Sequence, residues 1–414
     1  MRFLFVAHNL YTDHTSGSAV SARVLLQWLA AAGHDCEALG TARLDSEQPI
    51  DIEERLAQLA VPLTRAPASP KFTRSVHKPR NVVVGRPTVR YELKGVKVTT
   101  LLTRRNDFHN LDPIEIEQLM FLLDEALRRF SPDVLITQGQ PITPQEAMRR
   151  ARRRGVATVF WLHTQGYDDP FFYEHADSAL TPSLFLSEHY RRSVGLVSTH
   201  LAPPMEWASI VAPTDNRECV TMVNPSLSKG GALFARLAER LGTERPDIPV
   251  MAVLSTPQSH VLGELGIDFD RFPHFLGIPA APRPADFYAL TKILLVPSIF
   301  PEALGRVAAE ALINGIPPLV SDRGGLAEAV DAAGRVLPLP AWMTEASKEL
   351  PSGQEIQPWF EAVCELWDDP ARYAEASELA RQTGERLYRE EVILQRYVDY
   401  FSSLRPGTNP LASA

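Results

Sequence analysis

The apolar run Ile293, Leu294, Leu295, Val296 stops at Pro297, and after a short loop the pattern changes to Leu304, Val307, Ala308, Ala311 and Leu312. An unbroken apolar run bounded by turn residues reads as a buried parallel strand, and the new spacing predicts a helix that begins close to Glu302 and ends near Gly315. Gly315-Ile316-Pro317 then leads into another apolar run, Leu319 to Ser321, followed by Gly324-Gly325. Strand, loop, helix and strand in this order restrict the segment to a β-α-β unit of an open α/β sheet, in which ligands bind at the carboxyl ends of the strands.

The same alternation runs through most of the chain. It begins with a strand over Phe3 to Ala7, a loop holding Ser16-Gly17-Ser18, a helix from about Ala19 to Ala32 closed by Gly33, and a strand over Cys36 to Leu39. Strands at Val134 to Thr137, Thr158 to Leu162 and Ser178 to Thr181 are interleaved with helices at Pro113 to Arg129, Pro144 to Arg154 and Leu184 to Ser193. Val89 to Leu93 and Val96 to Leu101, joined near Gly95, read as a hairpin or a pair of edge strands. Residues 65–90, which hold Pro67, Pro70, Pro79 and Pro87 among many basic residues, read as an irregular stretch whose order the sequence leaves open. After Pro203-Pro204 a second series starts at Cys219 to Val223 and continues through Val250 to Leu254, His274 to Leu276, Ile293 to Val296, Leu319 to Ser321 and Arg335 to Leu337. Its last helices, Pro358 to Leu404, are amphipathic. With 414 residues, 45% of them hydrophobic, the chain can fill two cores, so the expectation is α/β with two doubly wound, Rossmann-like domains, 1–205 and 206–389.

The second series carries the more specific chemistry. A helix start near Glu302 presents backbone N–H groups and the positive end of a dipole, so the amides of Leu304, Gly305 and Arg306 can hold a phosphate, with Gly305 letting the ligand come close. Glu302 and Glu310 lie eight positions apart, roughly 12 Å along a helix axis at about 1.5 Å per residue. A nucleotide sugar is long enough to meet one carboxylate with its hexose and the other with its ribose. Any single glutamate on an amphipathic helix is commonly just solvated; it is the ordered series Pro-Ser, Glu, Gly-Arg, Glu, Gly-Ile-Pro and Gly-Gly that singles this segment out. Lys229-Gly230 falls at a strand-to-helix turn, where a lysine can meet a diphosphate as a point charge, although a solvated loop lysine is the plainer alternative.

The segment resembles the E-x7-E motif of family 4 glycosyltransferases, a large group of retaining, metal-independent enzymes of GT-B fold. That resemblance implies two Rossmann-like domains facing across a cleft, with the final helix, residues 390–404, crossing back onto the N-terminal domain. It implies that Glu302 contacts the donor sugar, Glu310 the ribose hydroxyls, and the Leu304, Gly305 and Arg306 amides a donor phosphate. Gly324 and Gly325 match the glycine pair before the next helix, a structural position. Lys229-Gly230 resembles the family's Lys-Gly element. Five positions before that lysine, where most of the group carry an arginine, this chain has Asn224, so Arg306 is the candidate for the second positive charge. Gly17 resembles the first-loop glycine that lets a donor phosphate approach the N-terminal domain; a turn glycine with positive φ is the plainer reading. His163, directly after the strand Val159 to Leu162, matches the family's active-site histidine, expected near the donor sugar's O6 or the acceptor. A histidine at a strand end is also often only a packed or capping residue. His8 and His14 lie near the same edge.

The expected activity is transfer of a sugar from a nucleotide diphosphate sugar to an acceptor hydroxyl or similar nucleophile, with no cofactor. The alternatives are a nucleotide-sugar epimerase of the same fold and a non-catalytic partner subunit. A net charge of −8 argues against a nucleic-acid partner. Cys36, Cys219 and Cys364 show neither a disulfide framework nor zinc spacing, and a reducing cytoplasm is the natural setting. MRFLFVAHNLY, broken by His8 and Asn9, reads as a first strand and not a signal peptide, and no apolar run reaches the ~18 residues of a membrane span. Asp168-Asp169 are adjacent and would diverge, which disfavours a metal site there. The basic cluster Arg149, Arg150, Arg152, Arg153 and Arg154 sits in the last turn of a helix, where solvation and the dipole explain it better than lipid binding, so membrane association is at most peripheral.

Overall fold

A computed structural model describes residues 1–14, 16–44, 52–69, 73–77, 80–83, 85–107, 111–139, 142–254, 257–279 and 283–411. The chain forms two compact units: Met1–Pro182 with Ser187–Pro204 and Leu394–Ala414, and Ser183–Leu186 with Met205–Ile393.

The first unit's elements are β1 (Arg2–Val6), α1 (Gly17–Ala31), β2 (Asp35–Thr41), α2 (Ile52–Ala57), β3 (Thr64–Ala66), β4 (Thr73–His77), β5 (Arg80–Val83), β6 (Thr88–Leu93), β7 (Val96–Leu101), α3 (Pro113–Phe130), β8 (Val134–Thr137), α4 (Ile142–Arg152), β9 (Ala157–Trp161), β10 (Ser178–Thr181), α5 (Leu184–Val194), whose first three residues count with the second unit, and β11 (Thr199–His200). Nine strands form one sheet in the order β11-β10-β9-β8-β1-β2-β7-β6-β3. β1 lies between β2 and β8, with Phe3 opposite both Cys36 and Val134 in parallel register. Its apolar residues are buried, as a strand covered on both faces requires. α3 starts where the sequence offers a complete cap: Asp112 accepts from the Glu115 amide, the Glu115 carboxylate accepts from the Asp112 amide, and Pro113 occupies the first turn. The residues Leu394–Ala414 belong to this unit, with Phe401 against Phe3 (ring centroids 4.9 Å apart) and Tyr397 against Trp161 (5.7 Å).

The described residues within 65–90 differ from the expectation of an irregular stretch. β3 pairs antiparallel with β6, β6 with β7, and β4 with β5. The prolines punctuate this region without abolishing it: Pro67 follows β3 directly and Pro87 directly precedes β6, positions where a missing N–H costs no ladder bond. Pro70 and Pro79 lie outside the described residues.

The second unit contains α6 (Trp207–Ile210), β12 (Cys219–Val223), α7 (Gly231–Glu244), β13 (Val250–Leu254), β14 (Phe275–Pro279), α8 (Ala285–Tyr288), β15 (Thr291–Val296), α9 (Arg306–Ile313), β16 (Pro318–Ser321), α10 (Leu326–Val330), β17 (Arg335–Leu337), α11 (Gln357–Asp368), α12 (Pro370–Tyr388) and α13 (Glu390–Ser403), the last continuing into the first unit's residues. Its six strands are all parallel, ordered β14-β13-β12-β15-β16-β17. The core joins the strand residues Val220, Met222, Ile293 and Leu295 to Leu233, Phe234 and Leu237 of α7 and Trp359 of α11. Strand order reverses between β12 and β15, and the two loops that leave this pair at their carboxyl ends bound the crevice that such a reversal creates.

Candidate active site

The loop after β12 runs from Asn224, itself in the left-handed region at φ 55°, to Gly230 at φ 88°. A Cβ on Gly230 would lie 2.0 Å from the carbonyl oxygen of Pro297, so only glycine lets this loop meet the one that follows β15. The amides of Ile299 and Phe300 donate to the Ser228 carbonyl at 3.0 and 2.9 Å, which binds the two loops together. Each loop ends on a glycine N-cap with positive φ, Gly230 for α7 and Gly305 for α9, and neither helix has a side-chain cap. Two helix amino ends therefore open at the point where the strand order reverses, each with the positive end of its dipole outward.

The helix bearing Glu310 begins at Arg306 and not close to Glu302, which corrects the sequence expectation. Gly305 sets the boundary, because its left-handed backbone is incompatible with continuing the helix toward Glu302. The two glutamates consequently do not share one helix face, and the axial spacing of roughly 12 Å does not describe them. Glu302 instead lies in the loop, in a short parallel bridge with Gly324, and its carbonyl accepts from the Gly325 amide at 2.7 Å. A Cβ on Gly324 would come within 2.2 Å of that carbonyl oxygen, which gives the glycine pair its physical purpose.

Lys229 Nζ and Ser298 Oγ both donate to Glu302 Oε1 at 2.5 Å. Ser298 is fully buried, and its carbonyl accepts from Ser321 Oγ at 2.6 Å, so the chain of contacts runs from β16 through Ser298 to Glu302. Lys229 also lies 5.4 Å from the centroid of the Phe300 ring. Glu310 is buried. Its Oε1 accepts from Arg306 Nη2 at 3.3 Å and its Oε2 from Tyr288 Oη at 3.1 Å. Burial pushes the Glu310 carboxyl above its ordinary value, a rise that the Arg306 guanidinium and the Tyr288 hydroxyl offset only in part. The Tyr288 phenol is itself held well above its ordinary value by burial and then by Glu310.

Of the sequence-predicted positions, Lys229, Glu302, Leu304, Gly305, Arg306 and Glu310 all lie on the two joined loops and α9 of the second unit, with Lys229 in contact with Glu302 and Arg306 with Glu310. The Arg306 side chain is aimed back along its own helix at Glu310. Gly17 and His163 belong to the first unit. Gly17 opens α1 after the Ser16 cap, without the positive φ considered for it. His163 follows β9, and its Nε2 lies 2.8 Å from Oε1 of the buried Gln138, at the end of the adjacent β8. Asp168 pairs with His189 at 3.0 Å, and Asp169 caps a short 3-10 turn. Arg149, Arg150, Arg152 and Arg154 are paired with Glu146, Asp124 and Asp177 within their own unit. Among the described residues no group of three or more His, Cys, Asp or Glu gathers that could hold a metal ion, and no helix is long and apolar enough to cross a membrane.

Ser298, Tyr288 and Gln138 were not singled out as site residues by the sequence. Ser298 had a signal in its place between an apolar strand and Glu302; Tyr288, on a four-residue helix far upstream of Glu310, had none.

Two parallel-sheet Rossmann-like units with this site at the second unit's strand reversal define the GT-B class of fold, and residues 274–340 match the family model described as Glycosyl transferases group 1. Match and fold together support a glycosyltransferase. No curated protein matches the chain by sequence. Among solved structures the chain is similar to the sucrose-phosphate synthase of Thermosynechococcus elongatus, at 15% identity and a TM-score of 0.64 over 97% of this chain and 98% of that one. It is similar to the Anabaena protein HepE in complex with UDP and glucose, at 14% identity and a TM-score of 0.64 over 98% and 100%. The pneumococcal O-GlcNAc transferase GtfA in complex with UDP and GlcNAc is similar at 11% identity, with a TM-score of 0.66 over 97% and 98%.

Proposed function

We propose that this protein is a retaining, metal-independent glycosyltransferase that moves a sugar from a nucleoside diphosphate sugar to an acceptor hydroxyl or similar nucleophile. The observation that carries the reading is the Lys229–Glu302 pair beside the uncapped amino end of α9, where the strand order of the second unit reverses. An anionic diphosphate set against the Leu304, Gly305 and Arg306 amides draws on Lys229 and Arg306 for positive charge, and Glu302 offers a carboxylate to the sugar hydroxyls. Glu310 accepts from the ribose hydroxyls. On the first unit, Gly17 serves the donor phosphate and His163 the donor sugar's O6 region or the acceptor. HepE and GtfA, both in complexes containing UDP, make UDP-sugars the first donors to try.

As the bond from the sugar's anomeric carbon to the phosphate oxygen breaks, its electron pair stays on the departing diphosphate. In this reading Lys229, Arg306 and the α9 amides meet that charge, which is electrostatic preorganisation of a leaving group. The acceptor oxygen forms its bond to the anomeric carbon on the same face, and its proton passes to the leaving phosphate oxygen. Incubation with nucleotide sugars and a panel of acceptors tests the reading through the product. A glycosylated acceptor with retained anomeric configuration supports it, whereas an altered free sugar formed without any acceptor identifies an epimerase.

A further inference from the structure

We propose that Tyr288 is a positioning residue of the donor site, whose hydroxyl fixes the plane of the Glu310 carboxylate so that it accepts from both hydroxyls of a vicinal diol. The inference rests on the reading of the second unit as a nucleoside diphosphate site.

Tyr288 is the last residue of α8, the short helix that leads into β15, and is fully buried. Glu310 stands on α9, which follows β15. The contact therefore ties together the two helices that flank one strand, and its only polar atom on the α8 side is the phenol oxygen. That oxygen lies 3.1 Å from Glu310 Oε2 and 3.2 Å from the Val307 carbonyl. One hydroxyl hydrogen serves one acceptor at a time, and an ionised carboxylate outcompetes a neutral carbonyl because the charge-assisted bond is about twice as strong. A phenylalanine would fill the same volume, so the oxygen is what needs an explanation.

An ionised carboxylate has about four lone-pair positions, two on each oxygen. Arg306 occupies one on Oε1 and Tyr288 one on Oε2. One position on each oxygen remains, in a plane fixed by two donors from different elements. Two acceptor positions side by side match the two adjacent hydroxyls of a ribose, and a 2′-deoxyribose fills only one. Without the phenol oxygen the carboxylate can turn about its terminal torsion, which is broad and roughly two-fold, and the two-point match is lost.

The test is calorimetric binding of UDP, ADP and GDP, their 2′-deoxy counterparts and inorganic pyrophosphate to the wild-type chain, Y288F, E310Q and Y288F/E310Q, with thermal melts alongside. For whichever base binds tightest, the wild type is expected to prefer the ribonucleotide over its 2′-deoxy form by roughly tenfold or more, the loss of one hydrogen bond to a charged group. In Y288F that preference is expected to shrink to about threefold or less while pyrophosphate affinity is unchanged, and in the E310Q background Y288F is expected to change nothing further. A Y288F protein that keeps the full preference, or that loses pyrophosphate and nucleotide affinity equally, overturns the inference and leaves the donor reading standing. If Y288F alone fails to fold, a folded Y288F/E310Q protein supports the coupling, and a double variant that also fails makes Tyr288 a packing residue. A wild-type chain that binds none of the six nucleotides overturns the donor reading and this inference with it.

Discussion

Lys229 and Glu302, 73 positions apart in sequence, are joined by a 2.5 Å ion pair between two loops that leave neighbouring parallel strands. Their side chains are 31% and 15% exposed, so the pair is partly withdrawn from bulk water. Both partners bear on the proposed donor, one through its charge and the other through its acceptor oxygens, and each holds the other in the absence of donor.

Replacing Glu302 by Ala is expected to abolish transfer, lowering kcat by roughly 100-fold or more, the scale of removing one preorganised electrostatic partner. The ion pair is partly exposed and contributes little, but the buried Ser298 hydroxyl loses its acceptor with it, so the variant should lose about 1–3 kcal/mol of stability. Initial rates with thermal melts decide it; wild-type turnover by E302A would refute the assignment.

Ser298 donates to the same Glu302 oxygen as Lys229, from a fully buried position. Ser298→Ala removes that donor and leaves Lys229 alone to orient the carboxylate. An intramolecular hydrogen bond contributes about 1 kcal/mol net, so kcat/KM should fall roughly five- to tenfold with a comparable small loss of stability. Steady-state kinetics of S298A test this, and rates equal to the wild type would show that Glu302 needs no such support.

Gly324 has φ 64°, and a Cβ there would meet the Glu302 carbonyl oxygen at 2.2 Å. Gly324→Ala must displace the Glu302 backbone, and the left-handed conformation adds about 1–2 kcal/mol of strain. The expected outcome is a lower Tm together with a loss of activity of at least about tenfold, since misplacing a site group by an ångström is that costly. A variant that loses stability yet turns over at the wild-type rate would detach this glycine from the site.

Glu310 carries a pH signature. Its folded value lies above the ordinary 4.5 because burial disfavours its charge. A carboxyl that binds its proton more tightly when folded makes stability fall as pH rises through the interval between the unfolded and folded values. The penalty is absent below the unfolded value and complete above the folded one. Glu310→Gln removes the titration, so at about pH 7.5 its Tm should equal or exceed the wild-type Tm, and any excess should shrink as pH falls through about 4.5. Melts across that range test the sign; an E310Q deficit that grows with pH would contradict it.

Much of this arrangement was legible because local physics dictates it. The apolar run before Pro297, the glycine at position 305 and the alternation of strand and helix patterns place the loops without reference to the rest of the chain. The start of α9 was misplaced because helical spacing at Leu304 extends past a boundary that the positive φ of Gly305 enforces. Residues 65–90 read as irregular because prolines dominate the pattern there, although Pro67 and Pro87 flank strands and do not interrupt them. Tyr288 and Ser298 were not singled out for a different reason: a side chain that supports another is recognised only by the contact, and no spacing rule connects position 288 to position 310.

The most direct measurement is a calorimetric screen of UDP-, GDP-, ADP- and dTDP-sugars against the wild-type chain and Lys229→Ala. The account predicts that one nucleotide class binds the wild type and binds K229A roughly tenfold or more weakly, as loss of a charge-assisted contact to a diphosphate requires. Equal affinity in the two proteins, or no binding to the wild type at all, would contradict a diphosphate seated between Lys229 and the amino end of α9.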